Sequence, residues 1–373
     1  MIEPLPTPRL SRHRGVVLVG GQSPALVERL ADELAGPASR RLSTGRERQP
    51  EPRPDLDLSP SPSPSPSPDL DTGHGLDLDP HTAVDTVHRL ALDLAHDGAA
   101  VDIVASVEPG TPLRTTGLIL GALLDADLGL PDGRSLLQHV VSVVSAVDLA
   151  ELVLGGVDDR FRAAEHVVEL VEYATVVALA DTDAVPAADR RTLERLLARL
   201  APEAAVLPVD EVTRTSLATR GGAAHLGSAA GWMQALSEHT PDLAHDGTIT
   251  TYVYRDERPF HPERLAAVVE RTFAPGAVGT VLRSRGFTQF ATRCDRVGSW
   301  SSVGQMLSLD PTSSPSWHPD SPHGQQIAFF GLDLDVATIR RELDSCLLSD
   351  AELLRDPAEW RDFVDPFPVW AAG

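Results

Sequence analysis

From residue 15 onward, short apolar runs alternate with amphipathic stretches. Residues 15–20 (GVVLVG) form a continuous apolar run ending in glycine, which predicts a strand buried on both faces. In 24–35 (PALVERLADELA) apolar positions recur at spacings of three and four behind a proline, the pattern of an amphipathic helix. The same grammar continues with a helix over 81–96, a strand over 101–107, a helical or mixed stretch over 114–128 and a strand over 140–147. A helix over 160–171, a strand over 174–180, a helix over 187–200 and a short strand over 204–208 complete it. Strands alternating with helices of this length predict an α/β domain with a parallel, doubly wound sheet and helices on both faces.

The pattern changes near Pro241. Residues 248–255 (TITTYVYR) alternate as a half-buried strand does, and 261–272 read as a helix behind a proline. Strand-like runs follow at 278–284, 287–292, 300–309 and 325–332, then a helix over 335–347 with Asp335 as its N-cap. This predicts a smaller α+β domain with a mostly antiparallel sheet. Two segments fall outside either grammar. Residues 1–14 read as a disordered lead-in, and about 40–72, with its alternating Ser-Pro tract, reads as a disordered surface insertion. The division expected is thus 15–243 for the first domain and 244–373 for the second.

Composition narrows the function. The net charge is −22, which repels a phosphate backbone and argues against direct nucleic-acid binding. No run of about 18 apolar residues exists to cross a membrane, and residues 1–14 have no apolar core of a secretory signal. Two cysteines, Cys294 and Cys346, make no disulfide framework, and a cytoplasmic protein with both thiols in the core is expected. All 32 basic residues are arginine; the chain has neither lysine nor asparagine. Both residues use codons beginning with two adenines, so a GC-rich genome would remove them together.

Several runs of the second half resemble the CobW C-terminal domain. They are 252–255 (YVYR), 258–265 (RPFHPERL), 281–287 (VLRSRGF), 297–300 (VGSW), 325–331 (QQIAFFG) and 343–348 (LDSCLL), in family order. The resemblance implies a P-loop GTPase domain preceding this one and a role in inserting or trafficking metals such as zinc and cobalt. Some actinobacterial relatives further imply links to zinc limitation and to the ribosome.

Against that family, the first domain is degenerate. A P-loop, G-x-x-x-x-G-K-[ST], cradles phosphates with backbone N–H groups, a lysine and a magnesium-binding hydroxyl. Here Gly20-Gly21-Gln22-Ser23-Pro24 joins strand to helix, too short and without lysine. Gly20, Gly21 and Ser23 either still admit an anion or form an ordinary turn. The guanine-reading N-K-x-D is matched by Ala180-Asp181-Thr182-Asp183, where only Asp183 keeps its type; it reads a base or simply caps a loop. The family's G-C-x-C-C motif is matched by a cysteine-free stretch, 73–81 (GHGLDLDPH), in which His74, Asp77, Asp79 and His81 either form a hard or mixed metal site or a solvated loop. Glu108 and Asp148 fall on acidic positions of the family's switch segments and read as turn or cap residues.

Outside the resemblance, His318, Asp320 and His323 have a spacing that can clamp zinc, and His261 reads as a helix cap. Arg283, Arg285, Arg293 and Arg296 alternate along strand-like runs, as a solvated sheet face or a basic partner surface. The leading expectation is a binding or recruiting protein of metal homeostasis, with a protein partner such as the ribosome or a metalloprotein, in which GTP hydrolysis has been lost. The alternative is a metallochaperone that binds GTP and magnesium through Gly20, Gly21, Ser23 and Asp183, and zinc through His74, Asp77 and His81. A third, a zinc reservoir or sensor, rests on scattered histidines.

Overall fold

Strand β1 (Val16–Gly21) is buried along its whole length and lies in the middle of the first sheet. In this computed structural model the described residues are 15–37, 39–44, 80–97, 101–128, 135–155, 160–220, 223–228, 230–237, 243–245, 247–272, 276–304 and 306–370. The lead-in and all of the expected insertion beyond residue 44 lie outside them.

After β1 come α1 (Pro24–Leu34), β2 (Ser39–Ser43), α2 (Pro80–His96), β3 (Asp102–Ser106), α3 (Leu113–Leu128) and β4 (Leu137–Ser145). The short α4 (Ala146–Leu149) runs into a π-helical turn, Ala150–Leu154, and is followed by α5 (Phe161–Glu172), β5 (Val176–Ala180), α6 (Ala187–Leu200) and β6 (Ala205–Pro208). The sheet order is β2-β3-β1-β4-β5-β6 with every neighbour parallel. Helix α1 buries Val27, Leu30, Ala31 and Leu34 against one face, while α2, α3, α5 and α6 cover the other. The doubly wound expectation holds.

Two short helices, α7 (Arg214–Ala218) and α8 (Gly231–Ala235), lead to the second sheet. Its strands are β7 (Leu243–His245), β8 (Thr250–Asp256), β9 (Thr280–Thr288), β10 (Arg296–Val303), β11 (Met306–Pro315) and β12 (Gln325–Leu332), in the order β11-β10-β9-β12-β8-β7, all antiparallel. Helices α9 (Pro262–Thr272) and α10 (Val336–Asp344) cover its outer face through Leu265, Val268, Ile339 and Leu343. Asp335 caps α10 as expected, accepting from the Thr338 N–H at 3.0 Å. Two short helices, α11 (Asp350–Leu353) and α12 (Pro357–Trp360), follow. The inner face joins the first domain: Ile249, Val253, Leu282, Val303, Ala328 and Phe330 share one apolar core with α2, α3, α5 and α6.

The differences from expectation have local causes. Residues 39–43 form β2 where the insertion was expected to begin, because an edge strand needs no apolar run. Ala291–Arg293 is a 3₁₀ turn, while most of the run at 278–284 and the first two residues of the run at 287–292 are one strand, β9. It seemed broken at Gly286, where a Cβ would lie 2.0 Å from the Gln326 carbonyl oxygen, so glycine permits the β9–β12 approach. The run 300–309 is a hairpin, turned at Gly304 with φ of +59°.

Candidate functional site

In an open parallel sheet, ligands bind beyond the carboxyl ends of the strands, where the strand order reverses. Here that point lies beside β1, and it is occupied by Gly20, Gly21, Gln22 and Ser23. Gly20 and Gly21 are buried strand residues, not loop residues. A Cβ on Gly20 would lie 2.8 Å from Leu113 Cδ1 and 2.9 Å from Val107 Cγ2. One on Gly21 would lie 2.3 Å from the Val143 carbonyl oxygen of neighbouring β4. Both glycines thus serve strand packing.

Only Gln22 and Ser23 connect β1 to α1. Ser23 is the N-cap: its Oγ accepts from the Leu26 N–H at 3.5 Å, and its carbonyl accepts from Val27 N–H at 3.0 Å. Pro24 at the first helical position has no N–H. The hydroxyl and two of the amide positions that would face a phosphate are therefore committed or missing. Gln22 Oε1 is buried without a hydrogen-bond partner.

Beside this turn, β2 is tied to α1 by a polar cluster that the sequence pattern gave no reason to expect. Arg41 pairs with Glu28, donates from Nε to Asp32 Oδ1 at 3.0 Å and from Nη1 to Ser106 Oγ at 3.0 Å. The Ser106 and Ser43 hydroxyls both donate to Glu28 Oε1, at 2.6 and 3.1 Å. The carboxylate is thereby held by three donor groups, and the carboxyl ends of β2 and β3 are closed by the chain's own arginine.

The remaining predicted positions lie on the same strand edge but do not converge. Glu108 opens a turn, its carbonyl accepting from Thr111 N–H at 3.1 Å, with Gly110 at φ of +86°. Asp148 lies in α4, its N–H donating to the Ser145 cap at 3.3 Å. Asp181 is left-handed at φ of +57° and accepts from Ser145 Oγ at 3.4 Å. Asp183 is fully exposed in a 3₁₀ turn (Thr182–Ala184), 3.8 Å from Arg190. Of the expected metal residues, His81 is exposed in the first turn of α2, while His74 and Asp77 lie outside the described residues. His318 Nδ1 accepts from Asp320 N–H, and among the described residues no three or more His, Cys, Asp or Glu side chains gather to hold a metal. The clamp that the spacing of His318, Asp320 and His323 allows is thus not assembled. Phe363 stacks on the His261 ring with centroids 4.5 Å apart, and burial pushes this imidazole's pKa down. Cys346 is buried as expected, whereas Cys294 is only half-buried.

The arginines of β9 correct the expectation of a solvated or partner-facing basic face. Arg283 and Arg285 point inward at α5, whose Glu165, Glu169 and Glu172 recur at four and three residues and so share one helix face. Arg283 donates to both oxygens of Glu172 at 2.9 and 3.2 Å, and its Nη1 donates to Ser301 Oγ at 2.9 Å and to the Ser302 carbonyl at 3.2 Å. Arg285 reaches Glu169 at 3.1 Å and lies over the Trp232 ring, whose Nε1 donates to Tyr173 Oη at 3.2 Å. Matching strand alternation to helix periodicity across 111 residues of sequence separation was the missing signal.

Residues 249–347 match the profile of the cobalamin synthesis protein cobW C-terminal domain. The second domain is a CobW C-terminal domain. The chain is 30% identical over 241 residues to "Zinc-regulated GTPase metalloprotein activator 1" of Dictyostelium discoideum, covering 57% of this chain and 50% of that one. It is 28% identical over 278 residues to "Zinc chaperone Rv0106" of Mycobacterium tuberculosis, covering 65% of each. It thus spans about half to two-thirds the length of these curated relatives. The Zn(II)-bound YjiA GTPase of E. coli aligns over 90% of this chain at 16% identity and a TM-score of 0.33. Among the described residues no helix is long and apolar enough to cross a membrane.

Proposed function

We propose that this chain is a binding or recruiting factor of zinc homeostasis, built as a CobW-type scaffold of two domains (15–243 and 244–373), in which GTP hydrolysis has been lost. The observation that carries the second half is the β1–α1 connection. A two-residue turn whose serine caps the helix and whose preceding glycines are buried against Leu113 and Val143 leaves no cradle for a phosphate. No lysine exists to neutralise one. The zinc assignment follows from the names of the two relatives, one a zinc-regulated activator of metalloproteins and the other a zinc chaperone. A metalloprotein client or the ribosome is the partner this reading offers, with no direct contact to nucleic acid and no membrane.

Isothermal calorimetry with GTP and magnesium, with and without zinc, tests it. Flat titrations at high micromolar nucleotide support the scaffold reading. Saturable heat overturns it in favour of a GTP-binding metallochaperone rebuilt around Gly20, Gly21, Ser23 and Asp183. The orphaned Gln22 Oε1 favours that second reading, since a buried acceptor at the strand edge invites a donor. Zinc held through His74, Asp77 and His81 is tested by equilibrium dialysis of the full chain and its His81→Ala variant.

A further inference from the structure

Beyond the CobW C-terminal domain, residues 349–370 turn back across the second sheet as a strap. Its first anchor is at α9, where Arg264 donates to Glu352 Oε2 at 2.7 Å and His261 stacks on Phe363. Its second lies beside β10 and β11. Asp365 Oδ2 accepts from Thr292 Oγ1 at 2.6 Å and from Arg293 Nε at 2.9 Å, and Arg293 Nη2 donates to the Phe367 carbonyl at 3.0 Å. Phe367 packs on Phe290, with centroids 5.5 Å apart. The Trp370 ring lies 4.7 Å from the Arg293 guanidinium carbon, and its Nε1 donates to the Leu309 carbonyl at 2.9 Å.

We propose that this groove, formed by Phe290, Thr292, Arg293, Gly298 and Leu309, is a docking site for an acidic-aromatic peptide segment of a partner protein, held closed in cis by residues 365–370. The groove is shaped for its occupant. A Cβ on Gly298 would lie 3.0 Å from the Trp370 ring, so glycine here makes room for an indole. Arg293 supplies the charge complement to a carboxylate and a cation to an aromatic face. Its Nη1 is buried with no acceptor, so the cis segment leaves one donor unmet that a longer acidic ligand can satisfy. The cis segment is also shallowly seated: Val364 and Val369, flanking its anchors, are 63% and 94% exposed. Pro366 and Pro368 keep the segment extended with little entropy left to lose on docking. This inference concerns partner binding by the second domain and stands whether or not the first domain binds GTP.

The test uses a fluorescein-labelled synthetic peptide of the sequence RDFVDPFPVW, titrated with the full chain and read by anisotropy. A strap tethered in cis competes at an effective concentration on the order of millimolar, so wild type should bind the probe weakly. An Asp365→Ala/Trp370→Ala variant, with its own strap disarmed, should bind at least about tenfold more tightly. Adding Arg293→Ala or Gly298→Leu to that variant should remove the gain, and a probe with the residues matching Phe367 and Trp370 changed to alanine should not bind. Equal binding by wild type and the strap variant overturns the proposal, as does binding that survives both Arg293→Ala and Gly298→Leu. Should the strap variant misfold, proteolysis of wild type decides: excess peptide must speed cleavage at residues 355–362, and unchanged cleavage overturns the proposal. Concentration-dependent dimerisation that is lost with the strap also overturns it, assigning the groove to exchange between copies.

Discussion

The guanidinium of Arg283 on β9 and the carboxylate of Glu172 at the end of α5 form a two-pronged ion pair with neither side chain exposed. It joins the two sheets across a shared apolar core. Every hydrogen-bonding edge of Arg283 is used, since Ser301 and the Ser302 carbonyl take its remaining nitrogen. A buried pair satisfied on both sides contributes little net stability, but removing one member strands a charge.

Replacing one partner is therefore expected to be far worse than replacing both. Glu172→Gln and Arg283→Met should each lower unfolding free energy by about 3–5 kcal/mol, and Glu172→Leu/Arg283→Met should recover most of that loss. Urea denaturation of the single and double variants checks this. Single losses below about 1 kcal/mol would mean that water reaches the pair.

Glu169, one turn earlier on α5, behaves differently. Its side chain is 39% exposed, and desolvation pushes its pKa up although Arg285 pulls the other way. A carboxyl raised in the folded state binds its proton more tightly folded than unfolded, so its contribution to stability improves as pH falls through the folded pKa. Wild type should consequently gain stability relative to Glu169→Gln as pH falls toward the ordinary carboxylate range. The measurement is paired urea titrations at several pH values; a difference that shrinks on acidification reverses the assignment.

The glycines at the end of β1 separate packing from ligand binding. Gly21→Ala places a Cβ against backbone of β4, which cannot move aside, whereas Gly20→Ala meets the side chains of Leu113 and Val107. Gly21→Ala should cost about 1–3 kcal/mol and Gly20→Ala less, in thermal unfolding without any nucleotide. Equal stability of both variants with wild type would return these glycines to a loop role.

The cluster around Glu28 holds β2 on the sheet. Arg41→Ala leaves that carboxylate with two hydroxyl donors only and should cost about 1–3 kcal/mol. Hydrogen exchange should accelerate across residues 39–44 and stay unchanged in β4. Uniform acceleration would mean that Arg41 supports the whole domain instead.

Much of this architecture was legible in the sequence because two periodicities are simple. The spans of α6 and β12 were read with their bounds, since each buried stripe is uninterrupted. β2 was missed because edge strands need no apolar pattern, and β9 read as two strands because of Gly286. At the strand edge, the missing lysine and shortened turn were visible, but the fate of the glycines was not: packing against Leu113 and Val143 depends on partners more than 90 residues away. The same holds for Arg283 and Arg285, whose alternation gave the shared face but not the three glutamates across from it.

The cysteines give a last prediction that needs no mutagenesis. Burial pushes the Cys346 thiol up to about 11, and its Sγ donates to the Glu342 carbonyl at 3.2 Å. At about pH 8 only roughly one thiol in a thousand would be ionised, and none of its surface is accessible. Cys294, half-buried in the turn before β10, has no such shield. A thiol reagent should therefore label one cysteine per native chain, with Cys346 reacting only in denaturant. Labelling of Cys346 at a comparable rate in native buffer would show that α10 opens from the second sheet on the timescale of the reaction.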